Sequence, residues 1–405
     1  MKSTRTALIF IFITLLIDMI GIGIIIPVIP TLIQNISGEG LDRAVIYGMW
    51  LLSLYAAMQF LFAPLMGELS DRFGRRPILL ASLFMMSIDY LIHAFAPTIA
   101  WLFFGRIMAG ITGASHSVAT AYVADISTPE NKAKNFGMIG AAFGLGFIIG
   151  PAIGGIFGEI DVRLPFLVAA GLTFANFLLG FFFVPESLAL EKRRVVQLKK
   201  MIPGVSVFNL KQYKGIIGLV FAFFLANVAG QALPSTWSYF TIEQFGWTEA
   251  QIGYSLMAVG IMVSIAQGFL VGKLVPIYGQ KKVIVWGFVL WSTGMLLFSI
   301  ASTPWMLYLF IIPYSIGGVA GPTLQSLVSN QVPDNEQGNL QGALTGMVSI
   351  TAIIGPILAS TVFAYFISEQ TFFYFPGAAY VVSAVILMTS TVLAWRALKT
   401  MDISI

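Results

Sequence analysis

The sequence contains no cysteine, only two histidines in 405 residues, and just 10% charged side chains. Without cysteine there is no disulfide framework and no thiolate metal or redox chemistry. Soluble globular chains carry about 25% charged residues. The shortage here excludes an ordinary cytosolic enzyme, a disordered regulator and a nucleic-acid binder. A net charge of +4 is too small to imply a polyanionic partner. No Gly-rich phosphate loop, Ser-His-Asp arrangement or nucleotide motif is present, and no His/Asp/Glu pair has metal-site spacing. Neither enzymatic activity nor a resident metal or cofactor is therefore expected. What the chain does have is apolar surface. It is 58% hydrophobic and 14% aromatic, with a mean hydropathy of +0.88, so its solvent is mostly lipid.

Twelve apolar runs are long enough to span a bilayer. They lie at roughly 6–32, 46–66, 78–95, 98–124, 134–157, 165–184, 215–240, 250–271, 283–301, 304–329, 340–366 and 372–397. The first is too long for a removable signal peptide and holds Asp18 at mid-span. The one long linker, 185–214, carries Lys192, Arg193, Arg194, Lys199, Lys200, Lys211 and Lys214 and falls at the midpoint of the chain. The expected fold is an all-α membrane protein of twelve transmembrane helices. Two six-helix bundles, 1–184 and 215–405, would be joined by that linker. With twelve spans, nineteen Lys and Arg fall on one side and only Arg43 and Arg163 on the other, with Arg106 inside a span. The positive-inside rule then makes both termini and the linker cytoplasmic.

The halves echo each other at a fixed offset of 205 residues. Gly48 matches Gly253. Gly67, Leu69, Gly74 and Arg76 match Gly272, Leu274, Gly279 and Lys281. Gly113 matches Gly318, Gly137 matches Gly342, and Gly150-Pro151 matches Gly355-Pro356. Two parallel repeats of this kind are a transporter architecture.

The loop after the second span reads Gly67-Glu68-Leu69-Ser70-Asp71-Arg72-Phe73-Gly74-Arg75-Arg76-Pro77. Its glycines permit a tight reversal. Asp71 is placed to cap a helix or meet a cation, and Arg72, Arg75 and Arg76 hold the loop on the cytoplasmic face. This segment resembles the signature loop of the major facilitator superfamily. Leu16-Ile17-Asp18-Met19-Ile20-Gly21-Ile22-Gly23 with Pro27 and Pro30, Gly105-Arg106 with Gly110-Ile111-Thr112-Gly113-Ala114, and the stretch from Gly140 to Pro151 narrow the match. Together they resemble the tetracycline-resistance antiporter family over nearly the whole chain.

The resemblance implies a proton-coupled exporter of a tetracycline-like amphiphile in the inner membrane, working as a monomer. Its partners would be a small molecule, protons and lipid, with no nucleic acid. A divalent metal would enter only as part of a substrate complex. In that family a Gly-rich fifth span marks exporters. Here Gly146, Gly150, Pro151, Gly154 and Gly155 supply it, and a simple helix-packing seam is the other reading. A conformational latch is expected at the 67–76 loop, with Arg75 on Asp125 and Asp71 facing the segment near Gly338–Gln341.

Ionisable residues inside spans are functional candidates. They are Asp18 in the first span, Asp89 and His93 in the third, and Arg106 and His116 in the fourth. All lie in the first half. Asp18 and Arg106, neighbours by family resemblance, are candidates for proton coupling. A static ion pair is the alternative. Asp89 and His93, at i and i+4, would relay protons or meet substrate, unless His93 is a wet side chain near the periplasmic end. His116 contacts substrate or is simply packed. The second half offers Gln231, Gln267, Gln325, Phe224 and Trp237 to a substrate. Where the family carries a histidine in span 8 and an acid in span 9, this chain has Val263 and Trp291. Positive charge on a substrate would then be met from the first half. A uniporter or proton symporter for a metabolite on the same fold is the competing function.

Overall fold

The computed structural model describes residues 2–113, 115–128, 131–194, 216–333 and 336–400, and the regular structure among them is helical, with no strand. Backbone amides in hydrocarbon must be satisfied within their own segment, which leaves apolar runs of this length little choice but helix. In the first half these are α1 (Lys2–Ser37), α2 (Leu41–Phe73), α3 (Arg75–Phe95), α4 (Ile99–Thr112), α5 (Ser115–Ile126), α6 (Lys132–Ile160) and α7 (Leu164–Phe183). The second half continues with α8 (Ile217–Gly230), α9 (Ala232–Phe245), α10 (Glu249–Ile265), α11 (Val271–Ser299), α12 (Pro304–Gly317), α13 (Ala320–Ser329), α14 (Gln337–Ile367) and α15 (Ala378–Thr400).

Ten helical stretches among the described residues are long and apolar enough to cross a membrane. Two details separate that number from the twelve runs of the sequence. The run at 98–124 is divided into α4 and α5, with Gly113 capping α4. In addition, α10 and α11 join into one stretch of 51 residues. At 1.5 Å per residue that is about 76 Å, more than twice the roughly 30 Å hydrocarbon core. The stretch is not uniform: the backbone leaves the helical region at Gly279, with φ 75° and ψ 153°.

The 205-residue repeat is visible in the backbone. Gly74, opposite Gly279 in the repeat, has φ 106° and ψ 157°. Both occupy a region essentially closed to residues with a Cβ. Gly113 and Gly318 cap α4 and α12. Ser87 Oγ donates to Ala170 O at 3.3 Å and its equivalent, Ser292, donates to Ala384 O at 3.0 Å. These bonds pin α3 to α7 and α11 to α15, the matching helix pairs of the two halves.

The chain divides into two compact units. The first comprises Met1–Glu39, Leu54–Pro203 and Thr248–Met257, and the second Gly40–Ser53, Gly204–Trp247 and Ala258–Ile405. In the first unit α1 packs closely on α6. Side-chain-free positions on α6 let the backbones meet: a Cβ at Gly150 would stand 2.7 Å from Ile20 O, and one at Gly154 2.3 Å from Ile24 O. Its core includes Phe10, Leu15, Leu79, Leu83 and Tyr122. The second unit is built around Trp237, Phe298 and Tyr380, whose rings meet edge to face.

Gly74 and Gly279 differ in surroundings, and that makes a test. A Cβ on Gly279 meets open space, whereas one on Gly74 would lie 2.3 Å from Glu186 Oε2. Backbone strain alone costs about 1–3 kcal/mol. Gly279→Ala should lose that much and Gly74→Ala clearly more in unfolding of the detergent-purified protein. Equal losses would show that Glu186 is not held against the turn.

Candidate functional site

A charge inside a membrane bundle persists only where partners offset its lost hydration. In the first unit Asp18, Asp89 and His93 are 3%, 2% and 0% exposed. The helical repeat sets Asp89 and His93 one turn apart on α3. His93 Nδ1 lies 3.0 Å from Asp89 Oδ1 and 2.9 Å from Asp89 O. Arg106, from α4, closes the group. Its Nη2 is 3.5 Å from Asp89 Oδ2, and its Nε donates to His93 Nε2 at 3.0 Å. A guanidinium can only donate, so Nε2 is the accepting nitrogen. In that neutral tautomer the ring proton sits on Nδ1, against Asp89. Phe166 stacks on the imidazole at 5.6 Å.

Gly105 makes the cluster sterically possible. A Cβ there would stand 2.6 Å from both Asp89 Oδ1 and His93 Cε1. Two tyrosines border the site. The Arg106 guanidinium sits 5.8 Å from the Tyr55 ring, and Tyr90 fills the space opened by Gly21 on α1. Both tyrosines lie within the electrostatic reach of Asp18, Asp89 and Arg106. The four ionisable side chains therefore share one neighbourhood. The guanidinium contacts Asp89 and His93 directly, and Asp18, its expected partner, borders the same two tyrosines. His93, for which a wet side chain was the alternative to a relay or substrate role, is fully enclosed. The side chain of His116 lies outside the described residues.

A second polar group forms at the turn between α2 and α3. Arg75 bridges Asp71 at 2.5 Å and Asp125 at 3.2 Å, and Nη1 donates to Ser70 Oγ at 2.6 Å. Glu186, which sequence reasoning missed, is held beside it. Its carboxylate accepts the N–H of Arg75 at 2.8 Å and of Arg76 at 3.2 Å. An anion at the first turn of α3 also meets the positive end of the helix dipole. The other end of α3 is covered by Arg163, which donates to Ala94 O at 2.7 Å and Ala96 O at 3.0 Å. The Arg72 guanidinium lies 5.1 Å from the Phe73 ring, and Arg76 donates to Phe181 O at 2.5 Å. The only sequence signal for Glu186 is an acid placed directly after an apolar run.

The second unit contains a cavity of about 330 Å³ walled by Asn227, Val263, Gln267, Trp291, Tyr314 and Gln325, among others. Gln267 sits in a π-helical turn, Ala266–Leu270, a local widening common at functional sites. Gln325 Nε2 donates to Gln341 Oε1 at 3.1 Å. The cavity wall is amide, aromatic and aliphatic. Val263 and Trp291, the two departures from the family pattern, are part of it. The other second-half candidates fall elsewhere. Trp237 is fully buried between Phe298 and Tyr380. Phe224 stacks on Phe221, and Gln231 lies against Gly355. Of the α6 motif, Gly146, Gly150 and Gly154 face α1, with Pro151 beside Gly23. Gly155 faces Glu249 and Gly253 at the start of α10.

A helical membrane protein with a buried charge cluster in one repeat and a neutral polar cavity in the other has the make-up of a secondary transporter. The profile of the Major Facilitator Superfamily matches residues 11–240 and 217–400, and the chain belongs to that family. It is 42% identical to the class C tetracycline resistance protein of Escherichia coli over 90% of this chain and 91% of that one. With the class B protein of Escherichia coli it shares 39% identity over 89% and 88%. Among solved structures, a bacterial homologue of the human lysosomal transporter Spinster superposes with a TM-score of 0.77. That match covers 99% of this chain and 98% of the other at 14% identity, a likeness of fold.

Gly105→Ala tests the cluster without removing a charge. The added methyl must displace Asp89 or His93. Transport should fall at least about tenfold, the consequence of a shift of roughly 1.4 kcal/mol or more in the site, while expression and helix content remain. Unchanged transport would mean that the packing of α4 on α3 is not what sets the site.

Proposed function

We propose that this protein exports a tetracycline-like amphiphile in exchange for protons. The reading takes the chain as twelve spans in two six-helix bundles with both termini cytoplasmic, alternating access by rocking of one bundle against the other. The break at Gly279 and the break after α4 support the count. The kinship with tetracycline resistance proteins supports the drug and the direction. Both repeats reside in one chain, which favours a working monomer in the inner membrane.

The observation that carries proton coupling is the buried cluster. Arg106 keeps its positive charge, and Asp18 and Asp89 bring two negative ones, with His93 neutral between Asp89 and Arg106. Fully ionised, and with His93 neutral, these four side chains sum to a charge of −1 in a low-dielectric interior. One bound proton neutralises it. A conformation that opens the site to the periplasm would load that proton, and one that admits water from the cytoplasm would release it. Asp18 is the carrier in this scheme. Asp89 and His93 transmit the shift through Arg106. The 67–76 loop, pinned by Asp71, Asp125 and Glu186, controls the conformational equilibrium without touching substrate. The neutral wall of the second-unit cavity suits the uncharged polar edge and aromatic face of the drug. Any positive charge on the drug falls to Asp18 or Asp89.

Everted vesicles from an efflux-deficient host test this. Adding tetracycline should partly collapse a respiration-generated pH gradient, and the drug should accumulate inside. Asp18→Asn should abolish both, a loss of more than about tenfold for a group in the coupling step. A uniporter would leave the gradient untouched, and a symporter would not accumulate the drug. Removing Mg2+ should change uptake less than about threefold, because no carboxylate among the described residues lines the second-unit cavity and divalent ions need oxygen ligands, carboxylates above all. Strict Mg2+ dependence that vanishes on altering Gln267 or Gln325 alone would show that those amides replace the missing acid.

A further inference from the structure

We propose that the second unit carries a site for one anionic phospholipid, in a groove between α11 and α15. The groove has a volume of about 470 Å³ and is lined by Leu296, Val385, Met388, Val392, Leu393 and Arg396. Val385, Met388, Val392 and Arg396 recur at helical spacing and form one stripe along α15. The apolar members are strongly exposed: Val385 58%, Met388 46% and Val392 47%. From Ala384 to Arg396 the stripe runs about 18 Å, the length of much of an acyl chain. Its one uncharged polar member, Thr389, spends its hydroxyl on Val385 O, and the one charge lies at its end.

That end is basic. No carboxylate pairs with Arg396 among the described residues. Lys399, three residues on, is held over the Trp395 ring at 5.6 Å. The repeat shows that this basic character is particular to the second unit. The first-unit loop pairs Arg75 with Asp71 and Asp125, and Glu186 accepts from the backbone of Arg75 and Arg76. At the matching second-unit positions Glu68 becomes Lys273 and Asp71 becomes Pro276. An apolar trough ending at Arg396, which has no carboxylate partner among the described residues, matches a lipid with an acyl chain and a phosphate that carries net negative charge. A zwitterionic headgroup offers the same chain without the net charge.

Purified full-length protein would be titrated with phosphatidylglycerol and, separately, phosphatidylcholine of identical chains, with bound lipid counted by native mass spectrometry. The expected result is one phosphatidylglycerol held about tenfold more tightly than phosphatidylcholine. Each basic residue near a headgroup is worth about a fivefold effect. Arg396→Gln should reduce that preference to about twofold. Met388→Trp fills the trough without changing charge and should lower phosphatidylglycerol occupancy. Lys132→Gln, on the other unit, should leave both unaffected. Equal retention of the two lipids by the wild type, or an undiminished preference in Arg396→Gln, overturns the site. So does full occupancy in Met388→Trp, or a loss in Lys132→Gln as large as in Arg396→Gln, which would mark a diffuse attraction. Circular dichroism and gel filtration of each variant separate lipid loss from misfolding.

Discussion

A guanidinium cannot shed its charge, so burying one inside a membrane bundle dictates what surrounds it. Arg106 is that constraint here. Its position on α4 requires a carboxylate and an acceptor within reach, and α3 provides both from one face, Asp89 and His93. The pair can approach only because residue 105 has no side chain. Phe166 fixes the plane of the imidazole, and Tyr55 offers its ring to the cation. The ends of α3 are tied as well, by Glu186 at the first turn and Arg163 at the last carbonyls. A helix held at both ends places its mid-span carboxylate reproducibly, and placement decides whether a buried charge is tolerated.

The other repeat shows what the same scaffold does without that constraint. Shifted by 205 residues, Asp89 becomes Gly294, His93 becomes Phe298, Gly105 becomes Phe310, Arg106 becomes Ile311 and Asp18 becomes Phe223. Phe298 and Ile311 are buried at 0% and 1% exposure, and Gly294 lets Tyr314 close against its helix. An ionic centre in one unit is matched by an aromatic one in the other, with Trp237, Phe298, Tyr314 and Tyr380 in contact. The helix pairing survives the exchange because it rests on Ser87 and Ser292, which are equivalent and bond alike. This divergence leaves the second unit free to line its cavity with amides and rings.

Much of this was legible from residues alone, and the limits have physical causes. Apolar runs and the fixed repeat announced the helices, since hydrocarbon admits little else. Gly74 and Gly279 were singled out by pattern, and both take backbone angles that a Cβ forbids. The i, i+4 relation of Asp89 and His93 is a local fact that survives folding. Their contact with Arg106 is a fact about two helices, invisible to spacing. For His93 two readings stood open from the sequence, and enclosure under Phe166 removes the wet one. Trp237 misled, because an aromatic at mid-helix serves a core as readily as a cavity. Glu186 was missed because its partners are backbone amides of a helix more than a hundred residues away, and amides leave no mark on a sequence.

The two turn loops show how chemistry and geometry separate within a repeat. Gly74 and Gly279 hold the same unusual backbone, so the turn is a property of the scaffold. The charges around it are not. In the first unit, acids clamp the turn through Arg75 and the start of α3. In the second, Gln280 replaces Arg75, and Ile277 and Tyr278 are 69% and 57% exposed. A clamped turn holds or releases as its charge pairs are made or broken. The second turn lacks the counterparts of Arg75 and Asp71 and exposes apolar side chains instead. One backbone turn thus carries a charge-paired loop in the first unit and a largely apolar one in the second.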